Sequence, residues 1–144
     1  GTMTRAMIVT VLHRMEGQPR GAGASGFADV PAGQWYSEAV AWGAANGIVL
    51  GFDETRFGGD EPVTREQIAA ILYRYAGYKG RDTGGGADIG GFADAAAVSG
   101  YALDAVRWAV GESLIQGRGA NDIAPQGDAT RAEVAAIIQR YIAG

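Results

Sequence analysis

No cysteine occurs in the 144 residues, which removes disulfides and thiolate metal sites but identifies no compartment. A single histidine, His13, leaves a transition-metal site or a histidine-based catalytic triad without support. No apolar run approaches the roughly 20 residues that a membrane-spanning helix needs, so membrane insertion is not expected. Basic charge is in deficit, with 12 Lys+Arg against 16 Asp+Glu, and no basic stripe relieves it; a nucleic-acid partner is not expected. No signal-peptide pattern opens the chain, and a chain that begins inside a repeat is expected to have lost its natural N-terminus. What is abundant is glycine, 24 residues clustered between helical stretches.

Three of those stretches are copies of one another: Met3 to Met15, Val63 to Tyr75 and Ala129 to Tyr141. Apolar residues recur at i, i+3, i+4 and i+7: Ile8, Val11, Leu12, Met15; Ile68, Ile71, Leu72, Tyr75; Val134, Ile137, Ile138, Tyr141. That spacing draws one buried stripe along a helix of 3.6 residues per turn. Thr64 with Gln67, and Thr130 with Glu133, fit a capping box; Thr4 can cap, but Met7 cannot complete the box. Arg5, Arg65 and Arg131 then fall in first helical turns, where the helix dipole favours acidic residues. Two readings stand: the arginines concentrate donors for an anion, or each pairs with a nearby Asp of the fold.

Between the long helices, Trp35 to Asn46 and Tyr101 to Glu112 read as short helices, with Gly47 as a left-handed stop to the first. From Trp35 onward the copies align at a constant offset of 66 residues, setting Trp42 against Trp108, Gly51 against Gly117 and Arg65 against Arg131. The expected organisation is the last helix of a truncated repeat at 1–17, complete repeats at 27–77 and 92–144, and connectors at 18–26 and 78–91. The second connector, with Gly84-Gly85-Gly86, is expected to be mobile. The fold class expected is all-α: tandem helix–loop–helix repeats, the three long helices packing around a pseudo-threefold axis.

The series F-x-D-V, W-Y-x-x-A-V-x-W, G-I-x-x-G and T-R-E/A-x-x-A-x-I-L-x-R resembles the surface-layer homology (SLH) domain. The middle copy carries it on Phe27, Asp29, Val30, Trp35, Tyr36, Gly47, Ile48, Gly51, Thr64 and Arg65, the last copy on Phe92, Asp94, Tyr101, Trp108, Gly117, Thr130 and Arg131. The resemblance implies a non-catalytic anchor outside the cell membrane, at the bacterial cell wall. Its grooves between adjacent repeats would bind secondary cell-wall polysaccharide ending in a pyruvylated amino sugar. The family's ligand-binding positions carry over to Arg5, Arg65 and Arg131, Asp29 and Asp94, Trp35 and Tyr101, and Gly51 and Gly117. The chemistry fits: a guanidinium grips a planar carboxylate through two parallel hydrogen bonds, an aromatic face stacks on a sugar, and glycine admits close backbone approach. The first repeat lacks its F-x-D segment and short helix, so a groove that uses them is missing or is completed by another chain.

Each assignment has a plainer counterpart. Asp29 and Asp94 can cap the turn entering the short helix. Taken separately, Trp35 and Trp42 read as core, and Trp108 shares the packing role of Trp42. Gly51 and Gly117 can be turn glycines of positive φ. The acidic stretch Asp53 to Glu61 lacks the ligand spacing and central glycine of an EF-hand, so no metal site is assigned. No cofactor is implied: the glycine run is no phosphate loop, lacking a following G-K-[ST] and a preceding strand. Three function classes remain: a wall-polysaccharide anchor, a structural self-assembly module in which another chain completes the half-repeat, and a glycosidase. The last needs two facing carboxylates roughly 5 to 10 Å apart, whereas the repeats offer one Asp with an Arg.

Overall fold

A computed structural model describes residues 1–119 and 121–144. Among the described residues five α-helices, α1 (Arg5–Met15), α2 (Ser37–Ala45), α3 (Arg65–Tyr78), α4 (Leu103–Gly111) and α5 (Arg131–Ala143), are joined by loops and two 3-10 turns, Ala95–Ala97 and Gly100–Ala102. The described residues form no sheet, only isolated bridges, so the fold is all-α. None of these helices is long and apolar enough to cross a membrane.

Each long helix begins where its threonine places it. Thr64 and Thr130 form complete capping boxes with Gln67 and Glu133. Thr4 accepts from the Met7 N–H alone. The short helices start two residues later than the aromatic residues suggest, at Ser37 and Leu103. At the first, Ser37 Oγ accepts from Gln34 N (2.9 Å) and donates to Pro31 O (2.6 Å), which holds Trp35 and Tyr36 in the preceding turn.

The chain divides into two compact units that cut across the sequence repeats: Met3–Pro62, and Val63–Gly144 with Gly1–Thr2. In the first unit α1 packs on α2, burying Ile8, Val9 and Leu12 with Val40, Trp42, Ile48, Val49 and Phe57. A side chain at Gly43 would meet Val9 and Val49 at 3.0 and 2.9 Å, so its absence lets the chains close. Here the sequence stripe is displaced: Val9, Thr10 and His13 are buried, while Val11 and Met15 are half-exposed. The His13 ring lies 5.4 Å from that of Trp42, and its Nε2 bonds Pro19 O at 2.8 Å, a packing role.

In the other unit α3 packs on α4, burying Ile68, Ile71, Leu72 and Tyr75 with Val106, Trp108, Ile123, Val134, Ile137 and Tyr141. Trp42 and Trp108 are equally buried, as a shared packing role requires. The glycine-rich connector is pinned rather than loose. A Cβ on Gly86 would lie 2.7 Å from Arg107 Cβ and 2.9 Å from Trp108 N, so only glycine lets this backbone lie against α4. Ala87 N donates to Arg107 O, Arg107 Nε donates back to Ala87 O, and Ile89 is buried.

Both short helices end in the left-handed conformation, Gly47 at φ +69° and Ser113 at φ +60°. The closing bonds are the same: Gly47 N to Ala44 O and Ile48 N to Gly43 O, then Ser113 N to Val110 O and Leu114 N to Ala109 O. A serine there carries a steric cost of about 1–2 kcal/mol, partly offset because glycine gives the unfolded chain more freedom. Ser113→Gly is therefore expected to stabilise the protein by roughly 0.5–1 kcal/mol, read from the midpoint of thermal or urea unfolding.

Candidate functional site

In each unit the arginine that opens a long helix and the aspartate of the F-x-D segment that follows it meet on a single loop residue. In the first unit Arg5 Nε donates to Phe57 O (3.1 Å) and Nη2 to Leu50 O (2.5 Å), while Asp29 accepts from Phe57 N (2.8 Å) and Gly58 N (2.9 Å). In the other, Arg65 Nε donates to Ile123 O (2.7 Å) and Nη2 to Gln116 O (2.6 Å), while Asp94 accepts from Ile123 N (2.7 Å) and Ala124 N (2.8 Å). Phe57 matches Ile123 and Leu50 matches Gln116 at the same 66-residue offset. Arginine and aspartate thus hold the two sides of one loop residue. The aspartates reach far beyond the local turn, 28 and 29 residues along the chain.

The helix N-termini are occupied as well. Arg5 N and Ala6 N donate to Glu61 O and Gly59 O; Arg65 N and Glu66 N donate to Gly127 O and Pro125 O. These first-turn donors are therefore spent on the loop that leads into the next long helix, not left open to an anion.

The aspartate charge is part of the clamp. Burial pushes the Asp29 carboxyl up, but the N–H groups of Phe57 and Gly58 and the charge of Arg56 outweigh it, leaving it below its ordinary value. The Ile123 N–H lowers Asp94 most; burial opposes, and Ala124 N and Arg65 add to the lowering. A carboxylate with a depressed folded pKa contributes stability above its unfolded value, near 3.9, that is lost as pH falls through the folded pKa. Stability is expected to stay level from pH 7 to 5 and to decline below about pH 4. In a variant carrying Asp29→Asn and Asp94→Asn, whose amides turn N–H₂ toward N–H donors, it should be lower at pH 7 with a flatter acid limb. Thermal midpoints across pH check both.

The remaining sequence-chosen residues separate. Gly51 has no positive φ; a Cβ there would lie 2.5 Å from Asp53 O and Phe27 Cε1 and 2.6 Å from Arg56 O. Gly117 also lacks positive φ and has more room, 3.3 Å to Phe92 Cε1. Turn geometry selects neither glycine, and close approach selects Gly51. Trp35 and Tyr101 are 63% and 59% exposed, so Trp35 is not core. Trp35 stands against Tyr36 edge-on (5.0 Å) and lines a hollow of about 160 Å³ with Thr10, His13, Arg14 and Gln34, a lining that includes neither Arg5 nor Asp29. Arg131 opens α5, exposed, its N–H donating to Gly1 O.

Arg65 and Gly117 do come together, in an open groove of about 350 Å³ between the 114–117 segment and α5. Leu114, Ile115 and Ile137 supply apolar walls, and Gln116, Glu133 and Arg140 supply polar groups. Arg65 forms a buried side, with Nη1 donating to Glu133 Oε2 at 2.6 Å. Glu133 Oε1 accepts from Arg118 Nη2 at 2.7 Å. Burial pushes the Glu133 carboxyl up, but Arg118, the Thr130 N–H and Arg65 together hold it below its ordinary range. The groove thus gathers arginines of net positive charge beside an apolar wall, a setting for a small anion with an apolar face.

Arg5, within the Met3–Pro62 unit, is covered differently. The Phe52 ring lies 4.6 Å and the Phe57 ring 4.9 Å from the Arg5 guanidinium. Phe52 itself rests on Gly58, where a Cβ would meet the ring at 2.1 Å. The residue matching Phe52 is Arg118, and the one matching Gly58 is Ala124, which adopts φ +52°. Glu133, Arg140 and Arg118 were not legible as site residues: Glu133 reads as a cap, and the Ala132, Ala136, Arg140 spacing was the only signal of a shallow helix face ending in a charge.

The S-layer homology domain model matches this chain at residues 26–69 and 91–135. Outer membrane protein SlpA of Thermus thermophilus is 52% identical over 54 residues, 38% of this chain and 6% of that protein. Amylopullulanase of Thermoanaerobacterium thermosulfurigenes is 32% identical over 95% of this chain and 7% of its own length. The surface-layer 125 kDa protein of Lysinibacillus sphaericus is 33% identical over 81% of this chain and 10% of its own. The chain therefore spans only a small part of these relatives.

Proposed function

The chain belongs to the S-layer homology family, and on that premise we propose that it anchors a larger protein by binding an anionic, pyruvylated secondary cell-wall polysaccharide. SLH domains are non-catalytic anchoring domains of the bacterial cell surface that bind cell-wall polymers, and this chain is a module of that kind. An enzyme such as amylopullulanase shares this part with it, not an active site. The observation that carries the finer reading is the groove that gathers Arg65, Gly117 and Arg140 against Leu114, Ile115 and Ile137. A ketal pyruvate presents a carboxylate to the arginines and a methyl group to the apolar wall. Trp35 and Tyr101, each exposed in its own unit, are suited to contact sugar rings. Several weak contacts on one chain raise avidity through effective concentration.

Pelleting with purified cell walls tests this. The protein is expected to sediment with intact walls and to stay in solution with walls stripped of their secondary polymer. Equal pelleting with both would refute a polysaccharide anchor. Failure with both, together with concentration-dependent sedimentation of the protein alone, would favour the self-assembly module.

A further inference from the structure

We infer that Glu133 is an internal stand-in for the ligand's carboxylate, and that its displacement from Arg65 sets the affinity and anion selectivity of this groove. The inference rests on the wall-polymer reading only for the identity of the natural ligand. All three Arg65 guanidinium nitrogens already donate to the protein: Nε to Ile123 O, Nη2 to Gln116 O and Nη1 to Glu133 Oε2. Two of these acceptors are backbone carbonyls of the loop that the arginine holds in place. The third is a side chain on the rim, 27% exposed and already held through its other oxygen by Arg118. Only Glu133 can leave without unfolding the loop. The guanidinium has five N–H groups, so these three bonds do not exhaust it. Glu133 is the acceptor that a carboxylate competing at Nη1 replaces, and the freed Glu133 keeps Arg118 as its partner.

This arrangement discriminates by charge. A neutral sugar offers nothing to compensate Arg65 for the lost ion pair, whereas a carboxylate replaces like with like. The residue matching Glu133 in the preceding long helix is Gln67, so this ionised N3 residue is a feature of α5 and not of α3. Gln67 completes its capping box by accepting from Thr64 N at 3.0 Å, as Glu133 accepts from Thr130 N at 3.2 Å. Glu133→Gln should accordingly keep the cap and the fold.

The test is an NMR titration of wild type and E133Q with sodium pyruvate as the carboxylate probe and N-acetylmannosamine as the neutral one, following the Arg65 Nε–Hε signal. A thermal melt of E133Q establishes that it is folded. Removing the resident charge is expected to tighten pyruvate binding about tenfold, with no gain for the neutral sugar. Equal or weaker pyruvate binding by E133Q, or no binding by either protein, overturns the inference, as does an equal gain for both probes. A tenfold gain in a protein that ignores cell walls would leave the Glu133 assignment standing and sink the polymer reading instead.

Discussion

Arg65→Ala is expected to lower stability by about 3 kcal/mol, a fall of roughly 10 °C in the thermal midpoint. The guanidinium is 4% exposed and serves two loop carbonyls and one carboxylate. Removing it strands Ile123 O and Gln116 O, each at about 1–3 kcal/mol if water cannot reach them, and leaves Glu133 without its closer partner. The figure stays at the low end of the 3–5 kcal/mol range for a broken buried pair because Glu133 retains Arg118 and is partly solvated. Differential scanning calorimetry reads the change. A loss under about 1 kcal/mol would mean that the clamp on the loop contributes little. The same fact shapes any binding experiment: loss of ligand affinity in Arg65→Ala reports on loop and ligand together, whereas E133Q leaves both of Arg65's bonds to the loop carbonyls in place.

Gly51→Ala should cost about 2–3 kcal/mol, and Gly117→Ala less than about 1, although the two occupy matching positions. At Gly51 a Cβ meets two backbone oxygens within 2.6 Å and the Phe27 ring at 2.5 Å, and backbone cannot swing aside. At Gly117 the closest neighbours are 3.3 Å and 3.4 Å away, one of them the edge of Phe92. Chemical denaturation of the two variants side by side reads the difference; equal losses would contradict the packing argument.

Much of this molecule was legible in its sequence for a definable reason. The capping threonines, the helical stripe of α3 and the 66-residue register are local or periodic signals, and α3 and α5 begin at their caps as read. The register survives in hydrogen bonds that no short motif encodes: Phe57 and Ile123 each accept an arginine at their oxygen and give an N–H to an aspartate. Sequence placed those arginines and aspartates in motifs but could not show that they converge on one residue, because the convergence spans nearly 30 residues on one side and more than 50 on the other. It also misjudged Gly86, since glycine written for close approach looks the same as glycine written for freedom. Trp35 and Trp42 illustrate a third limit: sequence reads both into one short helix, whereas the structure buries Trp42 within α2 and leaves Trp35 exposed in the turn before it.

The most direct measurement is a calorimetric titration of the protein with pyruvylated secondary cell-wall polysaccharide, beside the same polymer after mild-acid removal of pyruvate. Binding that is present with the first and lost with the second is the expected result, because the carboxylate is what the arginine-lined groove selects. Equal heats from both polymers, or none from either with folded protein, would contradict it.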